Sequence, residues 1–416
     1  MNVLFLTISN IKDFESRSLY IDLVKQFISQ GHYVTVLSGC ENRFRNIDDK
    51  DYYSCGDAGE IYKVFIPDIT RVKSTIKKGI GLLSLIPAYR RITKKAMRHK
   101  TYDLVVYGSP PVTIYSAISA VKKKQGAFSY LLLKDIWPYD CLYDNTLSKK
   151  GLKGIAFYIL AMMARELYKA SDCIGVMSPA NVQFLHENEP SIPLKKIEVN
   201  PNSIQPFKVE CDESKRNELR EKYGIPKDKV VYIYGGNLGT PQGLEFAMES
   251  VKASSVVSDA FFVFVGSGTK RKWIEEYIAR ENLGNILLLD AMPKDEYETL
   301  VFACDVGLIY LNHKCLSPNY PSRLLPYMQA RLPVICATDP YTDVGKNAQD
   351  NEYGIWCESD NTSAFVSCIK KLNQENIRTP MGLNAYEYLM NNYTVENSYN
   401  IIMSHMEMDK RELTEV

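Results

Sequence analysis

The sequence predicts an α/β protein built as two doubly wound domains, and three observations carry that expectation. Its 416 residues exceed one average core and suit two domains of roughly 200 residues each. Short apolar, β-rich runs alternate with helical patterns through both halves of the chain, as parallel strands with crossover helices require. Near the middle, "KVVYIYGGNLGTPQGLEFAMES" restarts the alternation with a strand, a glycine turn and a helix that opens on its own amides.

In order, "NVLFLTI" is the first strand, its apolar run too short for a signal peptide. Leu19 to Gln30 reads as a helix, and "YVTVLS", "DLVVYGS", "FSYLLLKD" and "CIGVMS" complete the first set of strands. "NPNSIQPFKVECDESKRNELREKYGIP" is rich in Pro, Asn and charge, and places a linker near Asn202 to Cys211. "VVYIYG", "AFFVFVGSG", "ILLLD", "DVGLIYL" and "PVICAT" are the strands of the second set. The expected bounds are 1–203 and 204–385, with a Tyr- and Asn-rich helical segment, 386–416, packing back on the first domain. Ligands of doubly wound sheets gather beyond the carboxyl ends of the strands, so two facing domains would share one central cleft.

Gly235, Gly236 and Gly239 let the backbone turn tightly and approach a ligand, and free amides at a helix start attract phosphate. A nucleotide diphosphate fits that description; an ordinary strand-to-helix loop is the competing reading. Hydrophobic residues make up 45% and charged residues 24% with net charge +1, which describes a soluble globular protein and argues against a general nucleic-acid binder. Ten cysteines lie scattered without a C-x-x-C pair, as reduced thiols of a cytosolic protein would. His32, His99, His186, His313 and His405 form no sequence pair, so a zinc-protease pattern is absent; His32 reads as structural and His313, after "LIYLN", as a weak site candidate. "TISNIKDFESRS" lacks the glycines of a dinucleotide fold.

Between Arg71 and Lys100 ten cations (Arg71, Lys73, Lys77, Lys78, Arg90, Arg91, Lys94, Lys95, Arg98 and Lys100) occur without one acidic residue. They flank the apolar run Gly79 to Tyr89, as in helices lying on anionic lipid; a solvated basic or anion-binding face is the alternative. No stretch reaches the roughly 20 apolar residues that span a bilayer, and "GIGLLSLIPAY" and "IAFYILAMMA" suit buried or interfacial helices.

Nine phrases occur in the order of one family: "GHYVTVLSG", "SPPVTIYSA", "KDIWPYD", "ARELYKASDCIGVMS", "VNPNSI", "YGGNLGTPQGLE", "FVFVGSGTKRKWIEEY", "MPKDEYETLVFACDVGLIYL" and "SPNYPSRLLPYMQARLPVI". The chain resembles a GT-B glycosyltransferase of family 4, in the branch that builds bacterial O-antigen, capsule or exopolysaccharide. The resemblance implies two Rossmann-like domains and a retaining transfer from a nucleotide-sugar donor, held by the second domain, to an acceptor on the first. It implies no metal or other cofactor. With the basic segment it implies a lipid-linked saccharide acceptor, and a cytoplasmic location at the inner face of the cell membrane. The residues it marks for the donor are Gly236, Asn237, Leu238, Gly239, Gly266, Lys270, Met292, Ser322 and Arg323. Asp135 is the catalytic candidate, able to orient an acceptor hydroxyl or take its proton, with Ser109 and Trp137 on the acceptor side; Glu166 reads as structural.

The chain departs from the family pattern at two places. Asn237 and Gln242 stand where an Arg and a Lys usually meet the donor phosphates, leaving backbone amides and Arg323 to carry that charge. Pro318 and Pro326 stand where two glutamates usually face the donor sugar and ribose. A catalytically silent relative that partners another glycosyltransferase is therefore the second reading, and a sugar-nucleotide epimerase a third.

Overall fold

In the computed structural model the described residues are 1–69, 72, 75–143, 146–207 and 212–414, the side chains of 75–76 and 407–414 excepted. Arg71 and Lys73 of the basic run, and 208–211 of the expected linker, lie outside them. The chain divides into two compact units: Met1–Gln205 joined by the chain from Val395 onward, and Pro206–Thr394.

The strands of the first unit are β1 (Asn2–Thr7), β2 (Tyr33–Glu41), β3 (Tyr52–Ser54), β4 (Gly59–Ile66), β5 (Leu104–Ser109), β6 (Phe128–Leu133), β7 (Cys173–Val176) and β8 (Ile197–Val199). They form one sheet in the order β3-β4-β2-β1-β5-β6-β7-β8, parallel except for β3 against β4. Its helices are α1 (Leu19–Ser29), α2 (Thr75–His99), α3 (Tyr115–Gln125), α4 (Gly151–Ala170) and α5 (Pro179–Asn188). The strands are near-continuous apolar runs because helices cover both faces. On one face Tyr89 of α2, Ile118 of α3 and Leu167 of α4 pack on Val105 and Leu131; on the other Val24 and Phe27 of α1 pack on Val36. Ser18 caps α1, its hydroxyl accepting from the Ile21 amide at 3.2 Å.

The second unit is a six-stranded parallel sheet, with β9 (Val230–Asn237), β10 (Ala260–Ser267), β11 (Ile286–Leu289), β12 (Val306–Tyr310), β13 (Val334–Thr338) and β14 (Gly354–Glu358) in the order β11-β10-β9-β12-β13-β14. Its helices are α6 (Glu213–Tyr223), α7 (Leu244–Ala253), α8 (Arg271–Arg280), α9 (Lys294–Phe302), α10 (Leu324–Gln329), α11 (Val344–Asp350), α12 (Thr362–Leu372) and α13 (Glu375–Asn392). Both units are Rossmann-like.

α14 (Val395–Thr414) returns to the first unit. Ile402 enters the core beside α1, the Tyr399 ring meets Phe27 at 5.1 Å, and its hydroxyl hydrogen-bonds His32 Nε2 at 2.8 Å, so His32 serves packing. The units correct the expected bounds. Gln205 donates to Asp22 at 3.3 Å and Ile204 accepts from the Val395 amide at 3.0 Å, which keeps both residues in the first unit. A boundary at 385 would cut α13, and Tyr393 hydrogen-bonds Tyr320 at 2.7 Å, so the return begins at Val395 rather than at residue 386.

Candidate functional site

At the carboxyl edge of the second sheet, β9 and β10 end in glycines because their backbones touch. A Cβ on Gly266, whose φ is +156°, would lie 1.9 Å from the Gly236 carbonyl oxygen. One on Gly268 would lie 2.3 Å from that of Leu238. Leu238 is buried and anchors the turn, while Gly236 (φ +130°) and Asn237 are exposed at its tip. Tyr234 braces the turn from below, its hydroxyl donating to the Asn237 carbonyl at 2.9 Å. Gly243, in the left-handed region at φ +58°, then starts α7 where a side chain would press on Asn312.

Arg323, at the head of α10, lies beside this turn. Its guanidinium stands 4.4 Å over the Tyr234 ring, and Nη2 donates to Gln242 Oε1 at 2.6 Å. Nη2 would be 3.6 Å from a Cβ on Gly236. Nη1 is buried with no hydrogen-bond partner, and no carboxylate lies within ion-pair distance of the guanidinium among the described residues. Two further tyrosines close the surroundings: Tyr327 accepts from the Gly235 amide at 3.2 Å, and the Tyr297 hydroxyl lies 3.5 Å from that of Tyr327. Arg323 is half-buried, and a guanidinium nitrogen buried without a partner is costly unless an anion joins it. Arg323, the exposed glycine turn and Gln242 can therefore receive an oxyanion, with the fork geometry suited to phosphate.

The other donor candidates are placed differently. Lys270 is ion-paired with Glu245 of α7 and lies 5.5 Å over Trp273. Arg271 likewise pairs with Asp290 at 3.0 Å and donates to the Leu289 carbonyl at 2.9 Å. Ser322 is exposed next to Arg323, and Met292 is half-buried before α9. Pro318 is buried in the loop after β12; Pro326 sits in the first turn of α10, where a missing amide removes no helical hydrogen bond.

In the first unit the corresponding edge is formed by β5 and β6. Ser109 is fully buried and its Oγ has no partner. Its carbonyl accepts from the Lys134 amide at 3.3 Å, which sets Lys134 and Asp135 immediately beyond β6. Burial pushes the Lys134 ammonium down to about 7 against the attraction of Asp135. Asp135 keeps an exposed surface while protein crowds its carboxyl; the crowding is the larger effect and lifts it above the ordinary carboxylate range despite Lys134. Burial first, then the charge of Asp135, raises the phenol of Tyr20, whose hydroxyl lies against Gly108 where a Cβ would be 2.2 Å away. Trp137 is half-buried and donates its indole N–H to Cys141 Sγ at 2.9 Å, so its polar end is occupied. Glu166 pairs with Lys169 at 2.8 Å on the surface of α4.

Sequence reasoning missed Tyr20, Tyr297 and Tyr327, since no spacing signal singles out a tyrosine that folds over a glycine. It also treated the histidines as isolated. His313 lies 3.4 Å from Asp360 and groups with Glu358, and His405 lies 2.9 Å from Glu198 and groups with Cys173; each trio brings three possible metal-donor atoms together. The basic run forms α2, where Lys77, Arg90, Arg91, Lys94 and Lys95 are exposed and Lys78 half-buried. Arg90, Arg91, Lys94, Lys95 and Arg98 line, with Pro87, an open hollow of about 560 Å³. No helix among the described residues is long and apolar enough to cross a membrane.

Residues 215–388 match the family described as glycosyl transferases group 1. A Pseudomonas aeruginosa protein named as a glycosyltransferase, WbjE, is 20% identical over 294 residues, covering 70% of this chain and 71% of that protein. An Escherichia coli K12 protein named as a colanic acid biosynthesis glycosyl transferase, WcaI, is 20% identical over 372 residues, covering 84% and 86%. Among solved structures, sucrose-phosphate synthase from Thermosynechococcus elongatus superposes with a TM-score of 0.77 at 13% identity and covers 99% of both chains. The matched segment holds Arg323 and the glycine turn; the fold is that of GT-B enzymes, and this glycosyl transferases group 1 match, with relatives named as glycosyltransferases, supports a transferase.

Proposed function

We propose that this glycosyltransferase moves a sugar from a nucleotide-sugar donor to a lipid-linked saccharide during synthesis of a bacterial surface polysaccharide, with retention of configuration. The observation that carries the reading is Arg323, a half-buried cation with a buried, unpartnered Nη1 and no carboxylate, beside an exposed glycine turn. The amides of Gly236, Asn237 and Gly239 and the Arg323 guanidinium take the diphosphate and stabilise the charge that grows on it as the sugar leaves, with no cofactor invoked. Leu238 anchors the turn, its own amide donated to the Ser267 carbonyl at 2.9 Å. Met292 and Ser322 line the donor. Asp135 orients the acceptor hydroxyl or takes its proton, helped by a carboxyl affinity for protons above the ordinary carboxylate range. Ser109 and Trp137 line the acceptor side. The cations of α2 hold the protein to the anionic inner face of the cell membrane. The name of the colanic acid relative supports the polysaccharide assignment.

Thermal unfolding with UDP, GDP and dTDP, and with their sugar conjugates, tests the donor half. One nucleotide is expected to protect the wild type and to protect Arg323→Ala far less. Asp135→Asn is expected to slow turnover by about 10²–10⁴-fold with donor protection intact; unchanged turnover removes Asp135 from the reaction. The second reading, a silent relative acting as a partner of another glycosyltransferase, is favoured by Pro318 and Pro326 in place of carboxylates. Failure of all three nucleotides to bind would select it.

A further inference from the structure

α4 is apolar on two sides. Phe157, Ala161, Ala164 and Leu167 face inward and are buried. Leu152, Ile155, Tyr158, Ile159 and Met162 face outward and are 86%, 59%, 55%, 43% and 55% exposed. Single exposed apolar side chains are ordinary, but these five recur at helical spacing along one stripe roughly 15 Å long.

The charges at the start of the stripe have one sign. Lys149, Lys150 and Lys153 surround it and no Asp or Glu occurs from Thr146 to Arg165, while Arg165 beyond its end is paired with Glu189 at 2.7 Å. Cations at a helix N-terminus oppose the helix dipole, so helix stability does not account for them. α2 lies on the same face of the sheet, separated by α3, and exposes Ile80 (64%) and Leu83 (48%) in its own N-terminal half. A crossover helix runs back along the strand it follows, so the first halves of α2 and α4 both lie toward the carboxyl edge that carries Ser109 and Asp135.

We propose that the outer face of α4 inserts into the surface of an anionic lipid bilayer, forming a second, apolar contact beside the cations of α2. The inference rests on the membrane reading given above for α2 and adds the element that enters the lipid. Charge favours this occupant over a second copy of the chain, which would bring lysines against lysines. The stripe supplies apolar insertion and the surrounding cations supply attraction to anionic headgroups.

Sedimentation of the full chain with vesicles of phosphatidylcholine, with and without phosphatidylglycerol, tests it. The wild type is expected to pellet with the anionic vesicles, and the triple variant Ile155→Gln, Tyr158→Ser, Met162→Gln to lose at least about tenfold in partitioning. Wild-type sedimentation by the triple variant, together with loss in an Arg91→Gln, Lys94→Gln, Lys95→Gln variant, would overturn the role of α4 and leave that of α2 standing. Indifference of the wild type to both vesicles would overturn both. A wild-type dimer in light scattering that the triple variant converts to monomer would assign the stripe to a copy interface instead. Nucleotide protection against unfolding, read on each variant, keeps folding and donor binding separate from the membrane result.

Discussion

Two arginines, Arg220 buried and Arg323 half-buried, stand at opposite edges of the second sheet, and the protein surrounds them in opposite ways. At the amino edge Arg220, 3% exposed, gives Nε to the Ala303 carbonyl at 2.9 Å, Nη1 to the carbonyls of Pro226, Lys227 and Lys229, and Nη2 to Asp305 at 2.7 Å. Asp305 also pairs with Arg216 and accepts from the Val231 amide at 2.7 Å. At the carboxyl edge Arg323 has a glutamine and a tyrosine ring, and one nitrogen with nothing. The first unit repeats the contrast. Asp172, just before β7, accepts from the Ser129 amide at 2.9 Å and from Lys122 at 2.6 Å, and Asp103, just before β5, accepts from the Asn2 amide at 2.8 Å. Beyond the far ends of the strands stand Ser109 without a partner and Lys134 depressed by burial. At these positions charge is neutralised where strands begin, whereas Arg323 and Lys134 have no ion pair among the described residues where strands end, the edge a ligand of such a sheet occupies. Lys270 and Arg271, also beyond a strand end, are paired with Glu245 and Asp290.

The largest effect should come from Asp305→Ala. It leaves Arg220 buried without its counter-charge and should cost about 3–5 kcal/mol in urea unfolding, with nucleotide protection retained as an increment. Arg323→Ala should do the reverse. It removes a charge that no carboxylate balances, so stability should change by about 1 kcal/mol or less, while donor affinity falls roughly 10- to 100-fold through loss of charge-assisted hydrogen bonds. A stability loss in Arg323→Ala equal to that of Asp305→Ala would break the comparison, because it would make Arg323 a structural residue like Arg220.

Much of the strand pattern was legible in the sequence because strands covered on both faces are apolar runs. β4 was not, since "GEIYKVFI" carries Glu60 and Lys63 inside the unit, where Glu60 accepts from Thr35 at 2.9 Å and Lys63 donates to Asn10 at 2.5 Å. Those partners come from a neighbouring strand and a loop, and periodicity sees only the polar residue. Asp103 and Asp305 stand at the heads of two recognised runs, yet the amides they hold lie 101 and 74 residues away. Arg323 was legible through the resemblance, whereas its lack of a counter-ion depends on Gln242, 81 residues distant. The ion pair of Lys270 was hidden for the same reason: Glu245 approaches it only once α7 and the start of α8 pack side by side.

The last test concerns Lys134, and it asks whether the contrast holds in the first unit. Its ammonium titrates near 7 in the folded protein, below the ordinary value of 10.5, so the unfolded chain binds a proton that the folded chain has released between those limits. Stability therefore rises with pH across that window and is flat outside it for this group. In Lys134→Met the contribution is gone. The wild type should gain on the variant as urea unfolding is repeated from pH 7 toward pH 10, with most of the gain in place by the upper end. A constant difference across the series would mean that Lys134 is solvated like a surface lysine. The open charge at the carboxyl edges would then narrow to Arg323 alone, and Asp135 would lose the desolvated neighbour that accompanies its own raised proton affinity.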